Sequence, residues 1–153
     1  MHITILVPGK TKESYIREGT ADFLKRLNRY TKASLVEVKM KGRAAKTGDK
    51  ELEADLLLSR LPPASYLVAL DPQGTSMTSE QFAATLADLE NRGTRAMTFI
   101  IGGPAGLSAG VVGRADLVFS LSRMTFTHDM ARLLLAEQLY RAYTINAGSG
   151  YHK

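Results

Sequence analysis

The sequence contains no cysteine among its 153 residues, and that absence excludes several kinds of site. Disulfide bonds, thiolate metal ligands and cysteine nucleophiles all need a residue that the chain lacks. The composition fits a reducing compartment. No apolar run approaches the roughly 20 residues of a membrane-spanning helix, and residues 1–7 have neither the charged start nor the cleavage site of a signal peptide. We therefore expect a cytoplasmic protein that does not enter a membrane.

Acidic residues are in the minority, because 20 lysines and arginines stand against 15 aspartates and glutamates, a formal net charge of +5. Excess positive charge favours polyanionic partners such as RNA. It is also common among small soluble proteins, so charge alone leaves both interpretations open. The length predicts a single domain, residues 1–153, with a hydrophobic core of its own.

Apolar runs of strand length alternate with amphipathic runs of helix length. Strands are predicted at residues 3–7, 34–39, 66–70, 98–101 and 117–119. Helices are predicted over 16–30, over 52–57, over 78–89 with a Thr78 and Gln81 capping box, briefly after Ser108, and over 128–143 with Thr127 as the cap. This alternation predicts a three-layer α/β fold with a mainly parallel sheet.

Residues 39–50 concentrate positive charge around two glycines, and this composition predicts an exposed loop. One interpretation is an ordinary solvated surface loop. The other is a mobile basic loop that grips RNA phosphates through Lys41, Arg43 and Lys46. The second interpretation predicts that RNA affinity falls steeply with salt concentration.

The last predicted helix is apolar on nearly every side. A helix without a wide polar face lies either in the centre of the core or in a subunit interface, and both remain possible here. Its few polar residues then need partners, since burial without a hydrogen bond is costly. They are Arg132, Glu137, Gln138 and Arg141.

Three segments that follow predicted strands are rich in glycine or hydroxyl groups, namely residues 70–74, 101–106 and 120–127. Ligands of open α/β sheets bind beyond the carboxyl ends of strands, where glycines allow close approach of the backbone. The segments together predict a pocket for an adenosine held by main-chain bonds, and a plain strand-to-helix turn is the alternative for the glycine run. The chain lacks both the P-loop ending and the dinucleotide-binding glycine motif after its first strand.

The three histidines, His2, His128 and His152, form no pair at metal-ligand spacing, and no carboxylate cluster accompanies them. We therefore predict no metal site. Taken by itself, the chain terminus is expected to fray.

Several segments in fixed order carry a resemblance to a known family that covers the whole chain. They are Gly102-Gly103-Pro104-Ala105-Gly106-Leu107-Ser108, Ser120-Leu121-Ser122, His128 through Arg132, Ala136-Glu137-Gln138-Leu139-Tyr140-Arg141-Ala142, and the terminal Tyr151-His152-Lys153. Each motif alone is weak, but the ordered set is specific. The chain resembles the ribosomal RNA large-subunit methyltransferase H family.

The resemblance implies a SPOUT, or α/β-knot, fold with a C-terminal trefoil knot, working as a homodimer. It implies S-adenosylmethionine as the methyl donor and no metal. The implied reaction is methylation of N-3 of a pseudouridine in large-subunit ribosomal RNA, within assembled ribosomes.

The resemblance also assigns residues. Cofactor binding is expected at Leu70, Gly102, Gly103, Gly106, Ser122, Arg123, Met124, Thr125, Phe126 and Thr127. Tyr151, His152 and Lys153 are expected near the methyl group as catalytic residues that complete the site of the partner subunit. Arg132 and Lys153 are expected to hold RNA phosphates, and an Arg132 that faces the partner subunit instead is the alternative for that residue.

The chain departs from the family pattern at three places. Ser149-Gly150 replaces a frequent His-Pro, which predicts a more flexible C-terminal tail (residues 147–153) that docks only when substrate, cofactor and dimer are present. Ala105 replaces a frequent Glu. Lys153 replaces a frequent Arg, which could bind a phosphate in a bidentate way. Two alternatives remain open: a SPOUT enzyme for another base or a ribose hydroxyl, and a non-catalytic ribosome-binding module.

Overall fold

Five parallel strands form the central layer of the protein in a computed structural model, which describes residues 1–153. In chain order the elements are β1 (His2–Pro8), α1 (Ser14–Leu27), β2 (Lys32–Val38), α2 (Gly42–Thr47), α3 (Lys50–Leu58), β3 (Tyr66–Ser76), α4 (Ser79–Asn91), β4 (Ala96–Ile100), α5 (Ala109–Arg114), β5 (Leu117–Ser120), α6 (His128–Asn146) and a 3₁₀ turn (Gly150–His152). The strand order across the sheet is β2–β1–β4–β3–β5. All carboxyl ends therefore lie along one edge.

Both faces of the sheet are covered, which explains why the central strands are apolar on both sides. On β1, Ile3, Ile5 and Val7 pack into the larger core with residues of α1, α4 and α6. Leu6, between them, points the other way and packs with residues of α3 and α5. Side chains alternate between the faces of a strand, so one short run of apolar residues supplies two cores. The predicted three-layer architecture is confirmed.

All five predicted strands are present, but β3 is longer than predicted. Its pairing with β5 runs from Val68 to Leu70, breaks, and resumes at Thr75. The intervening residues 71–74 bulge out at the carboxyl edge of the sheet. Gly74 is needed there, since a Cβ would lie 2.7 Å from the backbone oxygen of Val118. A strand interrupted by a bulge has no sequence period that continues across the break.

The prediction of a loop over residues 39–50 is corrected by the structure. Residues 42–47 form helix α2, and helix α3 begins at Lys50. Gly48 adopts φ +62° and closes α2 in the left-handed conformation that suits glycine. Asp49 then caps α3, its side chain accepting hydrogen bonds from the backbone amides of Glu51 and Leu52. Arg43 and Lys46 are therefore presented from a short helix rather than from a mobile loop, whereas Lys39 and Lys41 precede that helix and Lys50 begins α3.

The end of α6 differs from the expectation of a flexible tail. Gly148 adopts φ +66°, its amide donates to Ile145 O at 3.0 Å, and the Ser149 amide donates to Thr144 O at 2.9 Å. These bonds reverse the chain, as a left-handed cap does after a helix. The tail consequently folds back onto α6 as the 3₁₀ turn instead of extending freely.

None of the helices combines the length and apolarity that crossing a membrane requires.

Candidate active site

A cavity of about 510 Å³ opens at the carboxyl edge of β3, β4 and β5. This volume lies within the range of about 300–1,000 Å³ that is typical of small-molecule sites. Nine of the ten residues predicted to bind a cofactor line it, and Arg123 does not. The nine are Leu70, Gly102, Gly103, Gly106, Ser122, Met124, Thr125, Phe126 and Thr127. The structure thus brings the three predicted strand-end segments together around one space.

The glycine run forms one wall of the cavity through its backbone. The amide of Gly106 donates to Gly103 O at 2.9 Å, which closes a tight turn with Gly106 at φ +78°. A Cβ on Gly102 would lie 2.6 Å from the carbonyl carbon and oxygen of Gly106. Because those atoms belong to the backbone, no side-chain rotation could relieve the clash. The three glycines of this wall can therefore meet a ligand only through their main chain, and Pro104 between them also lines the cavity.

A buried carboxylate, Glu53 of α3, stands behind Gly103 and was not predicted. A Cβ on Gly103 would lie 2.9 Å from both carboxylate oxygens, and one of these, Oε2, has no hydrogen-bond partner. Burial raises the pKa of Glu53, and the Gly103 backbone amide partly opposes this. Glutamate on an amphipathic helix gives no sequence signal of such burial. The contact fixes how close the glycine wall can approach α3.

The opposite wall is the segment between β5 and α6. Ser120 Oγ donates to Ser122 O at 2.9 Å, and Ser122 Oγ accepts from the Met124 amide at 3.0 Å. The two serines therefore shape the loop rather than offering free hydroxyls. Met124 and Phe126 are 74% and 39% exposed, so two large apolar side chains stand at the mouth of the cavity. Exposed apolar groups of this size favour coverage by a ligand or a partner.

The start of α6 forms the floor of the cavity. Thr127 caps the helix as predicted, its hydroxyl accepting from the Met130 amide at 3.2 Å. His128, which also lines the cavity, was not among the predicted cofactor residues. Burial lowers the pKa of His128, and the neighbouring Asp129 carboxylate acts in the opposite direction. Burial therefore favours the neutral form of this imidazole.

Arg132 is placed differently from the prediction. It is 1% exposed, and its guanidinium donates to Pro8 O at 2.9 Å, Gly9 O at 3.2 Å and Thr11 Oγ1 at 2.9 Å. Its Nε lies 3.6 Å from Asp129 Oδ1. A guanidinium enclosed by backbone carbonyls cannot reach an RNA phosphate, which contradicts the predicted role. Arg132 instead ties the loop after β1 to α6.

The C-terminal tail lies on α6, outside the cavity of its own chain. Tyr151 donates its hydroxyl proton to Glu137 Oε1 at 3.0 Å, and the Arg141 guanidinium lies 4.9 Å from the Tyr151 ring centroid. Arg141 also donates to Glu137 Oε1, at 2.6 Å from Nη2. Burial and the Glu137 hydrogen bond raise the pKa of Tyr151. These contacts supply the partners that the polar residues of α6 were expected to need.

His152 makes the second attachment of the tail. Its Nε2 lies 2.8 Å from Glu80 Oε1 on α4, and its Nδ1 lies 3.4 Å from Arg141 Nη1. The backbone amide of Glu80 and the hydrogen bond to His152 lower the pKa of Glu80 to about 2. Lys153 is exposed. None of Tyr151, His152 and Lys153 lines the cavity, so the chain does not bring the two predicted halves of the site together within itself.

No group of three or more histidine, aspartate or glutamate side chains is arranged to hold a metal ion.

Comparison with known proteins connects this cavity to a family. The family model described as "Predicted SPOUT methyltransferase" matches residues 1–152. The chain belongs to the SPOUT methyltransferase family. Among similar proteins, the ribosomal RNA large subunit methyltransferase H of Desulfotalea psychrophila is 52% identical, with 97% of each chain covered. The protein of the same name from Clostridioides difficile is 44% identical, with both chains covered completely.

Solved structures agree on the SPOUT fold. A methylase family protein from Haemophilus influenzae superposes with a TM-score of 0.57 at 14% identity, covering 99% of this chain and 70% of that one. A methyltransferase from Legionella pneumophila in complex with S-adenosylmethionine gives 0.52 at 13% identity, covering 93% and 66%. At such low identity these structures support the fold alone. The C-terminal trefoil knot is what membership of the SPOUT family implies for the segments around the cavity.

Proposed function

We propose that this SPOUT methyltransferase transfers a methyl group from S-adenosylmethionine to N-3 of a pseudouridine in large-subunit ribosomal RNA. One observation carries the proposal: a cavity walled by glycine backbone lies at the carboxyl edge of the sheet in a chain 52% identical to a protein named for that ribosomal RNA. We also propose that the enzyme acts in the cytoplasm on assembled ribosomes.

The cavity suits the donor in size and chemistry. Backbone groups of Gly102, Gly103 and Gly106 can hydrogen-bond an adenine edge, and the apolar Leu70, together with Phe126, can hold its ring. No cation intrudes, because Arg123 turns away from the cavity and burial favours neutral His128. When bound, S-adenosylmethionine would supply an electrophilic methyl carbon for the ring nitrogen, and the electron pair of the carbon–sulfur bond would remain on the sulfur.

We further propose that the enzyme is a homodimer in which the tail of one subunit completes the cavity of the other. Support comes from position, since the tail residues are ordered on α6 but stand away from their own cavity. Aromatic side chains lie beside the tail. The ring centroid of Tyr140 is 4.7 Å from that of Tyr151 and 6.2 Å from that of Tyr30, which is 41% exposed. Such an aromatic surface is typical of subunit interfaces.

Methylation of a ring N–H requires that its proton leave. Tyr151 is unsuited to accept it, because burial and Glu137 raise its pKa and keep the phenol protonated. We propose that Tyr151 orients the base and that the imidazole of His152 accepts the proton, with Glu80 holding the ring. Lys153, exposed beside them, can meet a phosphate as a point charge.

The decisive experiment uses ribosomes from a strain that lacks this protein. Purified enzyme and methyl-labelled S-adenosylmethionine are added, and the modified nucleotide is mapped by nuclease digestion and mass spectrometry. We expect label on the N-3 nitrogen of one pseudouridine of large-subunit RNA. Label on a ribose hydroxyl or another base would replace the proposed substrate. Donor binding without any transfer would replace catalysis by a ribosome-binding role.

A further inference from the structure

The loop between β1 and α1, residues 9–13, presents charge in a way that the catalytic role does not explain. Lys10 and Lys12 are exposed, while Thr11 between them is 2% exposed. Glu13, the acidic residue of the loop, and Tyr15, which is 61% exposed, follow. The buried Thr11 thus separates two exposed lysines, and the exposed ring of Tyr15 follows them in the chain.

Side chains from two other elements hold this loop rigidly. Arg132 of α6 donates to Pro8 O, Gly9 O and Thr11 Oγ1, all within 3.2 Å. The Lys12 amide donates to Asp129 Oδ2 at 2.9 Å. Burying an arginine carries a desolvation penalty. Because the hydrogen bonds of Arg132 go to carbonyl groups of this loop, we infer that the position of the loop is important for function. The backbone beneath Lys10 and Lys12 is therefore pre-positioned.

Glu37 of β2 completes the anchor without cancelling the charge of the lysines. Its Oε1 accepts from the Thr11 amide at 2.7 Å and from Thr11 Oγ1 at 2.8 Å, and it lies 3.8 Å from Arg132 Nη1. The carboxylate is thus engaged by Thr11 and the guanidinium. Neither Lys10 nor Lys12 has an ion-pair partner in the structure.

The loop also lies beside the basic segment that follows β2. Pro8 pairs with Val38 in the sheet, and the Gly9 amide donates to Val38 O at 2.8 Å. The chain leaves β1 and β2 at the same edge, so two sets of exposed cations emerge next to each other. They are Lys10 and Lys12 from the loop after β1, and Lys39, Lys41, Arg43 and Lys46 from the segment after β2 that includes α2.

This edge continues into the cavity. Asp129, which binds the Lys12 amide, directly follows His128, which lines the cavity. The electric field of Lys12 reaches that imidazole and contributes to lowering its pKa. A nucleic-acid strand whose target base approached the mouth of the cavity would therefore run its backbone along a row of cations.

We propose that Lys10 and Lys12, together with the cations after β2, form a phosphate-binding edge for the RNA strand that carries the target base, and that buried Arg132 is a positioning residue for this edge. The inference rests on the proposed RNA substrate. Tyr15 offers a face on which a neighbouring base can stack. In this proposal, the contact with RNA phosphates that was predicted for Arg132 is made by the lysines of the loop that Arg132 holds.

The test compares two double variants of equal charge. Lys10→Ala/Lys12→Ala removes the two loop cations, and Lys32→Ala/Arg95→Ala removes two exposed cations at the opposite, amino edge of the sheet. We expect the first variant to raise KM for deficient ribosomes about tenfold at moderate salt and to reduce the slope of log affinity against log salt for single-stranded RNA by about 1.4. Donor affinity stays unchanged in both variants.

A conservative variant tests the positioning role. Thr11→Val removes the hydroxyl that links Arg132 to Glu37 without changing side-chain size, and Thr11→Ser restores it. We expect Thr11→Val to raise KM for ribosomes several-fold with kcat and donor affinity unchanged, and Thr11→Ser to behave as wild type. A general loss of folding would instead lower donor affinity as well, and that result would overturn the positioning role.

Failure of this proposal and failure of the proposed function give different results. If the wild-type enzyme methylates ribosomes but both double variants behave alike, the phosphate-binding edge is wrong. If ribosomes are not methylated, the salt slope with single-stranded RNA still tests the edge. An effect of Lys10→Ala/Lys12→Ala on ribosomes but not on bare RNA would overturn the RNA contact in favour of a ribosomal protein.

Discussion

The cavity and the C-terminal tail are built by opposite means. The cavity walls are backbone segments fixed by the sheet, by glycines without room for a side chain and by a helix cap. The tail is attached by side chains, chiefly Tyr151 to Glu137 and His152 to Glu80, at partly exposed positions. A rigid cavity and a tail attached by a few side chains suit the proposed dimeric enzyme, in which the tail of one subunit completes the donor site of the other.

The largest expected effect is on the tail side. His152→Ala removes the proposed proton acceptor and should lower kcat by roughly 10²–10⁴-fold, the usual contribution of acid–base catalysis. Donor affinity, measured by calorimetry, should change far less than kcat, because the glycine wall and the loop after β5 that line the cavity are unaltered. His2→Ala, at the amino edge of the sheet, is the matched control. Equal kcat for His152→Ala and wild type would exclude His152 as the proton acceptor.

The next largest effect is expected from a substitution that displaces the glycine wall of the cavity. Gly102→Ala places a Cβ 2.6 Å from the Gly106 backbone, so the glycine turn must shift. A displacement of this kind is expected to lower kcat/KM for the donor roughly 100-fold. Gly113→Ala, in α5 with no atom within 4 Å of the added Cβ, serves as the control. Normal donor binding by Gly102→Ala would show that the cavity is not the donor site.

A smaller effect tests how firmly the tail is attached. Tyr151→Phe keeps the ring on Arg141 but loses the hydroxyl bond to Glu137. A hydrogen bond of this type contributes about 1 kcal/mol, so amide exchange of the 3₁₀ turn should accelerate about fivefold. Cavity amides such as that of Gly106 should exchange at the wild-type rate. Faster exchange at both places would mean that tail and cavity form one cooperative unit.

The smallest effect is a pH dependence on the cavity side. Because burial lowers the pKa of His128, the unfolded state binds more protons than the folded state between the two pKa values. Stability is therefore full above the ordinary histidine pKa of about 6.5 and declines as pH falls toward the folded pKa. His128→Gln should flatten this decline, changing Tm at acid pH by about 2 °C. An unchanged Tm profile in scanning calorimetry would contradict the neutral His128 assigned here.

The glycine run shows how far the sequence predicts the site. Gly102, Gly103 and Gly106 follow a recognisable strand, and a parallel sheet gathers strand ends at one edge, so a shared cavity could be anticipated. Arg123 shows the limit, since it lies between two cavity-lining residues, Ser122 and Met124, yet does not line the cavity itself. Glu53 was missed for a related reason, because its burial arises from contact with a loop 50 residues away in sequence.

What the sequence determined by itself is the succession of strands and helices, the parallel sheet and the cap of α6. These features depend on neighbours a few residues apart, whose spacing is written in the chain. The tertiary structure alone decided that Arg132 anchors a loop, across 124 residues to Pro8, and that the tail folds onto α6. Whether a charged side chain faces solvent or carbonyl groups is set by which distant segments pack around it, and no local pattern carries that information.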